Sequence, residues 1–286
     1  MESIVVKSAL TKLKRKVPYG WDLNIYRGCA HSCQYCYAIY SHKYLGDKDY
    51  FEDIYVKENI VELLERDLKA PSWQREVVNI GGVTDSYQPA EAERQLMPEL
   101  LRLLIKYKTP AIISTKSDLI LRDYDLIDEL SRITYINVAA TITTMDEAVR
   151  EKLEPGSRPS LDRFRVLREF RKTNASTGLH VMPIIPYITD NEWNFETMFK
   201  EAALAKVHYV LPGTMYLRGP TKQHFFSFLD QQFPEASCKI RALYTRGGAG
   251  KDYKTDLYEM VNRLRDKYRL SKSYMAPMRE KLAQTT

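Results

Sequence analysis

Cysteine is scarce in this chain: there are four in 286 residues, and three of them, Cys29, Cys33 and Cys36, fall within eight positions. A disulfide framework spreads its pairs along a chain, so this distribution excludes one and points to a local site needing several thiolates at once. Long apolar runs are missing as well, and none approaches the roughly 18–20 residues a membrane-crossing helix requires. Met1–Lys16 is basic but lacks the apolar stretch of a secretory leader, so a cytoplasmic location with no membrane partner is expected. Internal repeats and low-complexity segments are absent too. An acidic excess is lacking: 43 Lys and Arg face 37 Asp and Glu, for a net charge of +6, a mild lean towards an anionic partner. What remains, 44% hydrophobic and 28% charged, is the balance of a globular protein, long enough for one large α/β domain or two small ones.

Strand-like and helix-like segments alternate after the basic start. Short aliphatic runs bounded by turn residues predict strands at Asp22–Tyr26, Val77–Gly81, Ala111–Ser114, Tyr135–Ala140, Leu179–Ile185 and Tyr209–Leu211. Between them, Leu96, Leu100, Leu103 and Leu104 share one helical face, as do Leu161, Phe164, Leu167 and Phe170. Further helices are predicted over Val56–Leu68, Tyr124–Ser131, Glu192–Leu204 and Lys222–Gln232. Six β/α units in a consistent order imply a parallel sheet curling towards an open (β/α)6 partial TIM barrel. The division expected is an N-terminal basic extension over 1–20, the partial barrel over 21–235, and a C-terminal extension over 236–286 packing on it. In that extension Tyr253–Tyr268 reads as a basic amphipathic helix.

The cysteines form a C-x3-C-x2-C loop directly after the first predicted strand. Three thiolates so spaced reach three corners of a cubane and leave the fourth iron open, and soft thiolates suit iron–sulfur or zinc. A structural zinc site would need His31 or the distant Cys238 as fourth ligand, and such sites favour paired knuckles brought together from separate places.

Active sites of parallel β/α barrels lie at the C-terminal strand ends. Polar clusters stand there in succession: Gly81–Pro89 with Thr84, Asp85 and Tyr87, then Thr115-Lys116-Ser117, Thr141–Thr144, Pro183–Pro186 and Pro212-Gly213-Thr214. Asp85 and Arg158 are candidates to line the cavity.

The cysteine spacing, with aromatic Tyr35 before the last cysteine, is similar to that of radical S-adenosylmethionine (SAM) enzymes. With Thr84-Asp85-Ser86-Tyr87-Gln88-Pro89, Thr115-Lys116-Ser117, Arg122–Leu126, Leu153-Glu154-Pro155-Gly156 and Arg163, the chain resembles the spore photoproduct lyase-like group, from about Asn24 to Asp190. The resemblance implies a [4Fe–4S] cluster on Cys29, Cys33 and Cys36, SAM on the open iron, and reductive cleavage to a 5′-deoxyadenosyl radical that abstracts hydrogen. It implies an external one-electron reductant of the flavodoxin or ferredoxin type, and favours a nucleic acid or nucleotide substrate. By position, Thr84 meets the SAM amino group, Lys116 and Thr141 its carboxylate, and Glu154 its ribose. Ile185 and the backbone around Tyr35 and Tyr37 border the adenine. Plain alternatives stand beside these: a surface lysine at 116, a buried strand threonine at 141, a helix end at Glu154, a helix cap at Asp85.

The pattern is broken near Gly82 and Val83, where the lyase carries its hydrogen-donating cysteine and this chain has none. That argues against repair of the spore thymine dimer and makes Tyr87 the candidate donor. For a polymeric substrate, Arg163, Arg165, Arg168 and the C-terminal basic helix are the expected phosphate contacts. A non-catalytic protein stabilised by zinc or a cluster, or a cluster-bearing redox protein, is the alternative from another class. No second C-x2-C pair offers an auxiliary cluster.

Overall fold

The computed structural model describes residues 1–14, 17, 19–46 and 48–285. Arg15 and Lys16 of the basic start lie outside the described residues. Ten strands are described: β1 (Glu2–Ile4), β2 (Leu10–Lys12), β3 (Trp21–Leu23), β4 (Tyr26–Arg27), β5 (Tyr55–Lys57), β6 (Val78–Ile80), β7 (Ala111–Thr115), β8 (Ile136–Thr141), β9 (Ser176–Ile184) and β10 (Tyr209–Thr214). The helices are α1 (Ile60–Lys69), α2 (Ala90–Arg94), α3 (Leu96–Lys106), α4 (Tyr124–Ile133), α5 (Glu147–Leu153), α6 (Ser160–Phe170), α7 (Glu192–Leu204), α8 (Gly219–Gln232), α9 (Pro234–Leu243), α10 (Lys251–Lys267) and α11 (Met275–Thr285).

The main sheet runs β10-β9-β8-β7-β6-β3-β2; β3 and β6–β10 are parallel, and β2 joins β3 antiparallel at one edge. Its two outer strands, β2 and β10, do not pair with one another, so the barrel is open. A second sheet, β1-β5-β4, stands beside it.

Amphipathic spacing makes the helices cover the outer face. Ile60, Leu64 and Leu68 of α1, and Met97, Leu100, Leu101 and Leu104 of α3, join Val78, Ile80, Ile113 and Val138 in one core. A second core joins Phe164 and Leu167 of α6, Phe195 and Phe199 of α7 and Leu257, Val261 and Leu264 of α10 to β8–β10.

Three sequence expectations need correction. Asp22–Tyr26 is not one strand: the chain leaves the main sheet after β3, and β4 pairs with β5 instead. Asn24 marks the departure, its Oδ1 accepting from Val83 N at 2.9 Å. Val56 belongs to β5 rather than to a helix. In α6, Leu161 is exposed while Arg163 lies inward beside Phe164, because its guanidinium pairs with buried Glu154.

Candidate functional site

Gly28 opens the cysteine loop with φ +77°, and a Cβ there would lie 2.7 Å from Asp53 O, so glycine is needed on both counts. The loop is then gripped from four sides. Thr84 Oγ1 donates to Gly28 O at 2.7 Å; Gln88 Nε2 donates to the same carbonyl at 3.2 Å while its Oε1 accepts from Ala30 N at 2.9 Å. His31 Nδ1 lies 2.8 Å from Gly156 O, and its Nε2 stands 3.1 Å from Asp85 Oδ2. Gln34 N donates to Leu153 O at 2.9 Å. Thr221 of α8 donates to Cys36 O at 3.1 Å.

Gly156 explains the Leu-Glu-Pro-Gly segment physically. A Cβ at that position would sit 2.1 Å from Ala30 O, so the turn between α5 and α6 touches the cysteine loop closely enough to exclude any side chain.

Cys29 and Cys33 are buried, and Cys36 is half-buried. Burial pushes the Cys29 thiol up to about 12, against hydrogen bonds from the backbones of His31 and Asp85, and raises Cys33 and Cys36 as well. Such thiols become ligands when a metal centre supplies the positive charge that holds them deprotonated. Among the described residues no three His, Cys, Asp or Glu converge as ligands of a single ion. A cubane makes a different demand, one thiolate at each of three corners, and three soft thiols on one gripped loop fit it. The zinc alternative fares worse: the ring nitrogens of His31 face Gly156 O and Asp85, and Cys238 is an exposed residue of α9.

Beside the loop lies a buried charge cluster. Glu154 is fully buried; Arg163 Nη1 reaches its Oε2 at 2.6 Å, Thr143 Oγ1 donates to Oε1 at 3.0 Å, and the Tyr35 hydroxyl donates to the same oxygen. Burial opposes the charge on Glu154, yet Arg163, Lys116 and Tyr35 hold its pKa at about 2. Lys116 follows β7, with Nζ 5.7 Å from the Tyr35 ring centroid. Burial works against its charge too, but Cys33, Glu154 and Asp85 outweigh this and raise its pKa. Among the described residues Lys116 makes no ion pair, so a half-buried cation beside Tyr35 is left for an incoming anion.

The remaining candidates divide. Thr141 ends β8 and is buried, its carbonyl accepting from Arg163 Nη1 at 2.7 Å. Ile185, fully buried, packs in one cluster with Cys33, Tyr35 and Leu153. Tyr37 is exposed and its hydroxyl donates to Gly82 O. These stand with the loop.

Asp85 does not act as an open cavity acid. It ties the loop to β7, accepting from Thr115 Oγ1 at 2.9 Å, Lys116 N at 2.8 Å and Tyr87 N at 2.9 Å. Tyr87 turns away from the donor role: it is fully buried in the outer core, with its hydroxyl on Asp123 at 3.0 Å. Glu154, expected at a ribose, has both oxygens occupied within the protein. Arg158 pairs with Asp118 at 3.0 Å on the surface. Three of the expected phosphate contacts are also spent. Arg163 is buried on Glu154, Arg165 meets Asp118 at 2.9 Å, and Arg168 meets Glu201 at 3.3 Å.

The barrel interior holds residues the sequence analysis missed. Asn79 Nδ2 donates to Asp22 Oδ1 at 2.8 Å, Asn137 Nδ2 to the Tyr209 hydroxyl at 3.1 Å, and His180 Nε2 stands 3.0 Å from that hydroxyl. Burial and the charge of Lys116 lower the His180 pKa to about 4, so the imidazole is neutral at pH 7. The signal was present: Gly178 and His180 interrupt a strand of aliphatic residues at a period of two. Gly178 is required because a Cβ there would lie 2.1 Å from the Tyr209 ring.

Comparison with known proteins fits this geometry. The family model described as the radical SAM superfamily matches residues 23–198. An uncharacterized protein of Mycobacterium tuberculosis strain H37Rv is 33% identical over 274 residues, covering 94% of this chain and 81% of its own. An uncharacterized protein of Methanocaldococcus jannaschii is 26% identical, covering 80% and 86%. Among solved structures, spore photoproduct lyase complexed with dinucleoside spore photoproduct superposes with a TM-score of 0.68 at 15% identity, covering 93% of this chain and 79% of that one, a likeness of fold. The radical SAM methyltransferase TsrM of Kitasatospora setae gives a TM-score of 0.51 at 10% identity over 73% of this chain and 36% of its own. SAM and a [4Fe–4S] cluster are the cofactors this family implies, and no helix among the described residues is long and apolar enough to cross a membrane. By its matched domain and its fold, the chain is an enzyme that belongs to the radical SAM superfamily.

Proposed function

We propose that Cys29, Cys33 and Cys36 hold a [4Fe–4S] cluster and that the protein acts on a nucleic acid or nucleotide by hydrogen abstraction. Cys29, Cys33 and Cys36 would hold the cluster; once bound it would supply one-electron reductive cleavage of SAM to methionine and a 5′-deoxyadenosyl radical able to take a hydrogen atom from substrate. The electron comes from a one-electron reductant of the flavodoxin or ferredoxin type. The observation that carries the reading is Lys116, a half-buried cation just after β7 with no ion pair among the described residues and its Nζ 5.7 Å from the ring of Tyr35 in the cysteine loop.

The chain's own residues would share the work. Lys116 and the Thr141 hydroxyl receive the SAM carboxylate, the loop carrying Thr84 meets its amino group, and Ile185 with the backbone of Tyr35 and Tyr37 borders the adenine. Glu154 is assigned here to holding the Tyr35 hydroxyl rather than to the ribose. Residues 21–235 would carry the chemistry, with 236–286 as an extension packed on the barrel through α10. Asp22, Asn79 and His180 line the polar interior on which substrate would rest.

Anaerobic reconstitution with iron and sulfide, then SAM and dithionite, tests this. 5′-Deoxyadenosine is expected from the wild type and not from a Cys29/Cys33/Cys36→Ala triple variant. A protein verified to carry the cluster that yields none, with or without added nucleic acid, would refute the proposed chemistry.

A further inference from the structure

With Arg163, Arg165 and Arg168 paired, a polyanion would have to meet cations elsewhere. Residues 214–254 hold seven basic and three acidic side chains, a net +4 out of +6 for the whole chain. They follow the C-terminal end of β10 and adjoin the cysteine loop, where Thr221 donates to Cys36 O at 3.1 Å. The segment folds back on itself: Leu217 N donates to Gly247 O at 2.6 Å, and Tyr216 bridges Gly248.

Exposed tyrosines alternate with these cations. Tyr216 is 59% exposed, with the Arg218 guanidinium 5.4 Å from its ring centroid. Lys254 stands close by, its Nζ 3.9 Å from where a Gly248 Cβ would be. Tyr187, after β9, is 49% exposed, with Lys239 Nζ 5.5 Å from its ring. A φ of +62° at Tyr187 places a large side chain where the backbone disfavours one. Among the described residues Arg218, Lys239, Lys251 and Lys254 make no ion pair. Lys251 and Lys254 border a surface hollow of about 620 Å³.

Flat rings with cations beside them, at the mouth of the barrel, match the chemistry of single-stranded nucleic acid, whose unstacked bases lie on aromatic faces while phosphates follow the positive charge. A duplex hides those base faces. We propose that Tyr187, Tyr216, Arg218, Lys239, Lys251 and Lys254 form a docking surface for single-stranded nucleic acid that leads a nucleotide to the strand ends. The proposal rests on the nucleic-acid reading above and adds the strand form and the place of contact.

Fluorescence anisotropy on the reconstituted full chain, with a labelled oligothymidylate of about 20 nucleotides, a duplex of equal length and heparin as probes, provides the test. Oligothymidylate should bind more tightly than either competitor. If four phosphates are neutralised, affinity should fall about fifty-fold between about 50 and about 200 mM salt. Tyr216→Ala and Tyr187→Ala should each weaken binding roughly tenfold, with Tyr216→Phe close to wild type. Arg218→Ala with Lys254→Ala should reduce the salt slope by about 1.4, whereas Arg165→Ala with Arg168→Ala should leave it unchanged. No binding, equal binding of duplex or heparin, or losses that follow Arg165 and Arg168 would each overturn the proposal. 5′-Deoxyadenosine formation on the same preparation separates the two claims: cleavage without oligonucleotide binding sinks the surface alone, and binding without cleavage sinks the chemistry.

Discussion

The surroundings of the cysteine loop and the rim over 214–254 use charged side chains in opposite ways. Next to the loop, Glu154, Arg163 and Asp85 are buried and each is held by several partners inside the protein. On the rim, Arg218, Lys239 and Lys251 face solvent and make no ion pair among the described residues. Mutually satisfied charges fix geometry, because moving one leaves another stranded in a poor solvent. Unpaired surface charges cost little and stay free for a ligand. Lys116 stands between these cases, half-buried beside the first group and unpaired, among the described residues, like the second.

The largest effect expected from breaking this contrast is at Glu154. Glu154→Ala leaves Arg163 buried without its carboxylate and should cost about 3–5 kcal/mol in urea unfolding, with iron per chain falling as Tyr35 loses its anchor. Glu154→Leu combined with Arg163→Met should recover most of the stability, since a buried pair is often replaceable by apolar groups of similar volume. Iron loading should not recover with it. If it does, Glu154 merely stabilises the fold and does not position the loop.

Gly156→Ala comes next. The added methyl meets Ala30 O at 2.1 Å, a backbone atom that cannot swing aside as a side chain end would. A loss of about 2–3 kcal/mol is expected, with defective cluster assembly, from unfolding curves and iron analysis together.

Lys116→Met should separate function from stability. No ion pair at contact distance is broken, so the unfolding midpoint should fall far less than for Glu154→Ala, while SAM affinity falls about tenfold to a hundredfold, the range for losing a charge-assisted hydrogen bond. Equilibrium dialysis of SAM against the reconstituted protein measures this. An unchanged affinity would remove Lys116 from the carboxylate.

How far the sequence could be read depends on whether a signal is local. The cysteine loop and the polar strand ends are contiguous segments, and six parallel strands follow from short aliphatic runs in alternation with amphipathic ones. Partners distant in the chain were not legible. Arg163 reads as one basic residue among several on α6, and only the fold reveals that Glu154 draws it inward and leaves Leu161 outside. Tyr87 shows the same limit, since its place in a conspicuous motif says nothing about which way its ring turns. Tyr87→Phe should therefore cost only about 1 kcal/mol, the hydrogen bond to Asp123, with 5′-deoxyadenosine formation unaltered. A loss of hydrogen transfer with normal SAM cleavage would restore Tyr87 as a donor.

The smallest expected change probes the surface side of the comparison. Arg165 reaches Asp118 at 2.9 Å, but its side chain is 52% exposed and Asp118 also accepts from Arg158. Water screens such a pair, and the second arginine compensates when the first is removed. Arg165→Ala should thus shift stability by no more than about 0.5 kcal/mol. The same variant should leave oligonucleotide affinity unchanged, although it deletes a cation from a protein of net charge +6. Removing Arg218 deletes one too, and there affinity should fall. If the two substitutions weaken binding equally, net charge alone governs association, and the pairing state of each cation does not matter.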